Sequence, residues 1–372
     1  MNLVVAGPAN GLGYGVVTVN TVHALTEAGV NVAYVPWPPD TFTIGNLDAY
    51  RPEVVSSLTA AYKLGRTEKI TNWPHLQIWH EWELGGPWDG PTIGCPFFET
   101  VPLRKDALPK LRECESVLAP TSWAADVYAD HGIDADYVPF IGVDPLVYAP
   151  SQSCAPKRKF VFLHMGKYEI RKGIDLVVDA FASIYKQYPK TRLYLLVENP
   201  FYVPERTGGT SWYTELTTLI VNSGIDMSSD KEIPIQILRK RPSHQALCGM
   251  FHKVHAAVQP TRGEGFGLCT LELLASGLPV ATTTNSGHGE FADLVTPFNG
   301  ITIPSGDLVP AIDNMFFHGD RKWYDVSVSD VRDSMEKLYL TRRDLHVQPD
   351  ISKHTWEAGA KRLIEYIDNK SW

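Results

Sequence analysis

Two carboxylates, Glu264 and Glu272, stand eight positions apart in the stretch TRGEGFGLCTLELLASGLPVATTT, residues 261–284. Glu264 closes a loop, and Gly265 and Gly267 let the backbone approach a ligand. A helix is expected from there to about Ser276, stopped by Gly277-Leu278-Pro279 ahead of a strand at 280–283. Eight residues is about two helical turns, so Glu272 falls on the face that carries Leu268 and Cys269. A carboxylate there is costly to bury unless it bonds paired hydroxyls, such as those of a ribose. Upstream, GKYEIRKG (166–173) sets Lys167 and Lys172 just before another helix, where cations oppose the helix dipole. A bound polyphosphate would settle that conflict; a solvated basic loop is the plainer reading. Near the N-terminus, GPANGLGYG (7–15) could cradle a phosphate on the amides of the following helix, or be only a tight turn. The dinucleotide pattern G-x-G-x-x-G is not met. Gly11 and Gly13 fit, but the last position is Val16, and the acidic Asp40 comes late, after three prolines. A nicotinamide site is therefore disfavoured.

The elements that must hold these residues read as two rounds of one pattern. Residues 3–6 form a short apolar strand, 16–28 a helix closed by Gly29, and 30–35 a second, alternating strand. That is the opening βαβ of a parallel, doubly wound sheet. Further strand and helix segments fall at 76–79, 92–97, 116–120, 122–131 and 136–139. Residues 145–159, with three prolines and a basic end, read as a linker. The pattern then restarts: strand 159–164, polar loop 165–173, amphipathic helix 174–188, strand 192–198. Two Rossmann-like domains follow from this restart. A strong amphipathic helix closes the chain at 356–368.

Taken together, these segments resemble the retaining glycosyltransferases of the GT-B fold, most nearly family 4 with its E-x7-E signature. The residues that carry the likeness are EGFGL…LELLASGLPVAT, NGITI at 299–303, GKYEIRKG in place of the family's G-R-x-x-x-x-K-G, and PTSWAADVY…GVDPLVYAP at 120–150. The resemblance implies an α/β, GT-B architecture of two Rossmann-like domains facing across a cleft. Residues 1–150 would form the acceptor side and 151–352 the nucleotide-sugar side, with 353–372 a helix crossing back. It implies transfer from a nucleotide-diphosphate sugar, such as a UDP- or GDP-sugar, to a hydroxyl, with retention and without a metal or other cofactor (EC 2.4). Carried over by position, Gly13 would approach the diphosphate or the sugar. Lys167, standing where the family has Arg, and Lys172 would clamp the diphosphate. Glu272 would hold the ribose, and Glu264 would face the donor sugar. Gly265 and the amides of Phe266, Gly267 and Leu268 would cap sugar and phosphate. Arg239 and Lys240 lie where the nucleobase loop falls, without a residue-specific match. The N-domain catalytic partner would be His80 in IWHEWE or Glu99 in GCPFFET; either residue type at a strand end is as often structural.

The acceptor is expected on the N-domain side, whose distinctive content is aromatic: Trp37, Trp73, Trp79, Trp82 and Trp88, half of the chain's ten tryptophans. Such rings stack on sugars or on bases. A saccharide or small glycoside is the first choice. A hydroxymethylated base in DNA, as for virus-encoded glucosyltransferases, is the alternative. In another class stands an inactive sugar-nucleotide binder, against which Glu264, Lys172 and Glu272 together argue. Two further patterns are set aside. Asp134-Ala-Asp136 spells a metal-binding D-x-D but sits in a turn. Cys248, His252 and His255 lack a fourth zinc ligand. The 372 residues carry 34 basic and 42 acidic side chains, a net charge of −8, which argues against a nonspecific nucleic-acid coat but not against a local basic cleft. Apolar runs are too short for a membrane helix, and no basic segment precedes one as in a secretory signal. The odd, scattered five cysteines point to a reduced cytoplasm, or a host cytoplasm for a viral protein.

Overall fold

The structure, a computed structural model, describes residues 1–39, 47–67, 70–86, 88–150, 158–202, 209–226, 233–295, 300–313, 315–341 and 349–370. In the first half, β1 (Asn2–Gly7), β2 (Asn31–Pro36), β3 (His75–Gln77), β4 (Thr92–Gly94), β5 (Ser116–Ala119) and β6 (Ala135–Tyr137) form one parallel sheet, ordered β2-β1-β3-β4-β5-β6. Helices α1 (Gly13–Glu27), α2 (Pro52–Gly65), α3 (Ala107–Glu113) and α4 (Ser122–Asp130) connect it. Leu3, Val4, Val5 and Ala6 are fully buried, as a strand covered on both faces requires. Pro52 starts α2 at a position where its missing N–H costs no bond. Thr121 caps α4 by accepting from the Ala124 amide.

The second half repeats the plan. Strands β7 (Phe160–Lys167), β8 (Thr191–Glu198), β9 (Ile235–Ile237), β10 (Ala256–Gln259), β11 (Val280–Thr282) and β12 (Gly300–Thr302) are parallel and ordered β12-β11-β10-β7-β8-β9. Around them lie α5 (Ile174–Gln187), α6 (Trp212–Asn222), α7 (His244–Phe251), α8 (Leu268–Ala275) and α9 (Val328–Leu340). Strand order reverses between β1 and β3 in one sheet and between β7 and β10 in the other. Crevices open at such points beyond the carboxyl ends of the strands. The two crevices face one another and form a single cleft.

Two devices fix one sheet against the other. The last helix, α10 (Trp356–Asp368), packs on α1 of the first half. Val143 pairs with Thr355 where the chain crosses back, and Arg362 donates to the Pro139 carbonyl at 2.6 Å. A Cβ on Gly359 would stand 1.9 Å from the Phe140 carbonyl oxygen, so the helix can approach this closely only with glycine there. The second device is an antiparallel hairpin, β13 (Leu308–Ile312) and β14 (His318–Tyr324). Lys322 on β14 pairs with Val101 of the first half, the Val101 amide donating to its carbonyl at 2.9 Å. The Tyr324 amide in turn donates to the Arg262 carbonyl at 2.9 Å.

Some local expectations are corrected. Helix α1 begins at Gly13, three residues before the expected start at 16. The Asn10 side chain accepts from the Leu12 amide at 2.9 Å, and Gly15 leaves room for Asn10 against the first turn. Strand β7 runs on to Lys167, past the expected end at 164, because its pairing with β8 continues to Glu198. Strand β6 takes in Asp136, in keeping with the expected strand from 136, so of the D-x-D pair only Asp134 precedes the strand. Helices α2, α3, α6 and α9 and the hairpin were not expected. Parts of the expected linker, Cys154, Asp40 and Asn299 of NGITI lie outside the described residues. Among the described residues, no helix is long and apolar enough to cross a membrane.

Candidate functional site

The cleft between the two sheets has a volume of about 370 Å³, within the range of small-molecule sites. Its first-half wall comes from the loop after β1 with the start of α1, and from Trp79, His80, Phe97 and Glu99 beyond β3 and β4. Gly13 opens onto it, with nothing within 4 Å of where a Cβ would stand. Lys167, Arg171, Lys172, Lys240, Arg241 and residues 264–269 form the other wall.

At the floor lies a cluster of opposite charges. Lys172 donates to Oε1 of Glu264, which also receives an Arg171 NH1 contact at 3.1 Å. Arg171, 4% exposed, is shared further: NH1 donates to the Gly263 carbonyl at 3.0 Å, and NH2 reaches Glu169 at 2.7 Å and Glu99 at 3.4 Å. Lys167 pairs with the other oxygen of Glu169 at 2.7 Å. Glu264 is buried, which raises a carboxyl's pKa; Lys172 and Arg171 outweigh burial and hold it well below the ordinary range. The dipole conflict of Lys167 and Lys172 with the helix that follows is therefore relieved by Glu169 and Glu264 of the chain itself. A bound polyphosphate is not needed to explain those lysines.

Local backbone delivers these groups. The turn Ile170–Lys172 reverses at Gly173, whose φ of +74° is left-handed and whose Cβ would meet the Pro260 carbonyl at 2.3 Å. The Lys172 stem lies against Gly166, 2.8 Å from a Cβ position there. Gly267 caps α8 at φ +98°, over the ring of His288. The α8 ladder starts with Thr270 and Leu271 both donating to the Gly267 carbonyl. The amides ahead of them stand at the helix's open end, where an anion is favoured. The hairpin holds the Glu99–Val101 segment against the Arg262–Glu264 loop, which brings Glu99 within reach of Arg171.

The structure brings Gly13, His80, Glu99, Lys167, Lys172, Lys240, Glu264, Gly265, Phe266, Gly267 and Leu268 to one cleft. His80 accepts or donates through Nδ1 at 3.2 Å from the Tyr14 hydroxyl, and stacks on Trp82 with 4.4 Å between centroids. Burial drives its pKa down to about 4, so the ring is neutral. Arg239 is exposed and does not line the cleft; Arg241, two residues on, does. Glu272 does not line it either. It is buried in a small neighbouring cavity with Tyr148 and His244, and burial raises its pKa to about 8 against the Tyr148 bond. Of the five tryptophans only Trp79 lines the cleft. Trp37 and Trp88 pack on one another at 5.2 Å, Arg104 covers Trp82 at 4.3 Å, and Trp73 is elsewhere.

Asp136 receives Lys370 at 2.7 Å and Tyr366 at 3.1 Å and ties α10 to β6, away from the cleft. His255 accepts from the Val161 amide at 3.0 Å and stacks on Phe160, so it does not join Cys248 and His252. Sequence reasoning missed Arg171, though the charge alternation Glu169-Ile170-Arg171-Lys172 is its signal. It also missed His244, which carries no local signal, and Tyr148, although GVDPLVYAP around it is one of the stretches that carry the likeness.

Residues 159–315 match the family model described as glycosyl transferases group 1. Over 279 residues the chain is 26% identical to mannosylfructose-phosphate synthase of Agrobacterium fabrum, covering 70% of this chain and 54% of that protein. It is 27% identical over 173 residues to D-inositol 3-phosphate glycosyltransferase of an Arthrobacter species, covering 44% of this chain and 38% of that protein. The chain thus spans about half the length of the first of these relatives, and less of the second. Sucrose-phosphate synthase from Thermosynechococcus elongatus superposes with a TM-score of 0.67 at 16% identity, covering 99% of this chain and 98% of the other. An E. coli trehalose-6-phosphate protein bound with UDP-2-fluoro glucose gives 0.65 at 12% identity, with both chains covered fully at 100%. The fold is GT-B, and the chain resembles the group 1 glycosyltransferases.

Proposed function

We propose that the protein is a retaining glycosyltransferase that moves a sugar from a nucleotide-diphosphate sugar to a hydroxyl of a saccharide or small glycoside. The observation that carries this reading is the meeting of Lys172, Arg171 and Glu264 at the open end of α8, on the floor of the cleft. As the glycosidic bond breaks, negative charge grows on the β-phosphate. Lys172, Lys167 and the amides of Phe266, Gly267 and Leu268 line the cleft and can stabilise it, the lysines by giving up part of their pairing with Glu264 and Glu169. Fixed cations make a metal unnecessary for that purpose. Glu264 lies on the donor side, where it can orient sugar hydroxyls and offset positive charge at the anomeric carbon. The leaving phosphate can then take the acceptor's proton on the same face.

His80 and Glu99 stand on the first-half wall of the cleft. His80, neutral, can donate or accept one hydrogen bond to the sugar. Glu99 is half-buried and reaches Arg171, so it helps to hold the cation cluster as well as facing the cleft. A saccharide acceptor is in keeping with the relatives, which include a mannosylfructose-phosphate synthase and a sucrose-phosphate synthase. The test is turnover of a panel of UDP-, GDP- and ADP-sugars with saccharide acceptors and with hydroxymethylated DNA. Nucleoside diphosphate release that needs a saccharide supports the reading. Transfer to the DNA alone would replace the acceptor, and binding without turnover would leave a sugar-nucleotide binder.

A further inference from the structure

We infer that Tyr14 is a positioning residue that holds the single proton of His80 on Nδ1, so that the ring meets the substrate through the lone pair of Nε2. The substrate half of this rests on the proposed glycosyl transfer. Tyr14 stands in the first turn of α1, one residue after Gly13, and both it and His80 border the cleft. Its hydroxyl has one proton to give and two lone pairs. The Phe97 carbonyl, 2.8 Å away, can only accept, so that proton is committed there. Nδ1 of His80 lies 3.2 Å from the same phenol oxygen. A bare Nδ1 would set its lone pair against those of the oxygen. A protonated Nδ1 donates to it, and the bonds then run in one direction from His80 through Tyr14 to Phe97.

The surroundings hold the ring in this orientation and in this charge state. Trp82 stacks on His80 at 4.4 Å, and Trp79 and Tyr14 meet it steeply inclined at 4.6 and 4.8 Å between centroids. Burial outweighs the attraction of Glu83, and Lys167 and Arg104 act in the same direction as burial, so the imidazole carries one proton and not two. The phenol keeps its own proton, since burial, Glu99 and Glu81 all raise its pKa. Among the described residues Nε2 has no hydrogen-bond partner, and it is not closed off from solvent. With the proton on Nδ1, a neutral ring can only accept at Nε2. His80 therefore takes a substrate hydroxyl as its donor and offers nothing to an ether or carbonyl oxygen. The opposite tautomer, which a free imidazole favours, would donate there instead.

The test begins with nitrogen NMR spectra of the free protein labelled at histidine, in which protonated and bare imidazole nitrogens resonate far apart. His80 is picked out of the 12 histidines as the signals absent from His80→Gln. At neutral pH its Nδ1 should be of the protonated kind and its Nε2 of the bare kind. Tyr14→Phe keeps the ring and its packing but removes the hydroxyl, so the proton should pass wholly or partly to Nε2. With that shift kcat should fall about five- to tenfold, as for one hydrogen bond lost in the transition state, while nucleoside diphosphate affinity stays within about twofold. A proton on Nε2 in the wild type, an unmoved proton in Tyr14→Phe, or an unchanged kcat once it has moved would overturn the inference and leave the functional reading standing. Failure of the wild type to turn over any nucleotide sugar would remove that reading, and the spectra would still decide the tautomer.

Discussion

Replacing Lys172 by alanine separates a phosphate clamp from a structural ion pair. In the free protein the ammonium is bonded to Glu264, its stem lies along Gly166, and its side chain is 13% exposed. A diphosphate arriving at the end of α8 would gain one charge-assisted hydrogen bond from it, worth about 1.5–3 kcal/mol. Part of the Lys172–Glu264 attraction is given up in exchange, so the lower half of that range is expected. At 1.4 kcal/mol per tenfold, the nucleoside diphosphate should bind about ten- to thirtyfold more weakly to Lys172→Ala. The free nucleoside, lacking phosphates, should bind as before. Glu264 keeps Arg171 at 3.1 Å, so the variant should remain folded, as a thermal melt can confirm. Calorimetry with nucleoside, monophosphate and diphosphate should show a loss that grows with phosphate number. Equal affinity for the diphosphate in variant and wild type, or an equal loss for the nucleoside, would refute the clamp.

Three other outcomes are expected. Gly267→Ala puts a Cβ 2.1 Å from the buried His288 ring at a φ of +98°, so denaturant melts should show at least about 2 kcal/mol of lost stability; a change under about 0.5 kcal/mol would show that the cap is adaptable. Glu272 has a folded pKa of about 8, above its ordinary value. The folded state then holds the proton more tightly, and stability should fall as pH rises from about 4.5 to 8, by up to about 1.4 kcal/mol per unit. Glu272→Gln should flatten that slope in melts across the range, and an unaltered slope would place the proton elsewhere. Asp136→Ala should cost about 1 kcal/mol through loss of Lys370 and leave turnover within about twofold, and EDTA should leave turnover unchanged. Loss of activity restored by Mn²⁺ would return Asp136 to consideration.

Helix α10 was legible to the residue, because its apolar face repeats at helical spacing from Trp356 to Asp368 without a competing signal. The loop and helix around Glu264 were equally legible, since glycines and Gly277-Leu278-Pro279 mark both ends. Side-chain pairing across long separations was not. Arg171 and Glu99 are drawn together by the hairpin, whose alternation is broken by Pro310 and a bulge between Pro310 and Ile312. Glu272 shares the helix face of Leu268 and Cys269 as its spacing requires, yet Tyr148 and His244 come in from other segments to cover it. The tryptophans cluster in sequence, but their large rings find partners in one another and in Arg104, which leaves Trp79 at the cleft. Periodicity reports which face is buried; it carries no information on what buries it.

Transfer from a nucleotide sugar with the cation cluster at the leaving group and Glu264 on the donor side predicts retention at the anomeric carbon. Following the reaction of an α-configured nucleotide sugar and its saccharide acceptor by NMR tests it most directly. The first-formed product should show the small anomeric coupling of an α-linkage, appearing in step with nucleoside diphosphate. Glu264→Gln should slow both signals together by about tenfold or more, equivalent to about 1.4 kcal/mol of transition-state stabilisation. A β-linked first product would contradict transfer with retention, and full turnover in Glu264→Gln would remove Glu264 from the reaction.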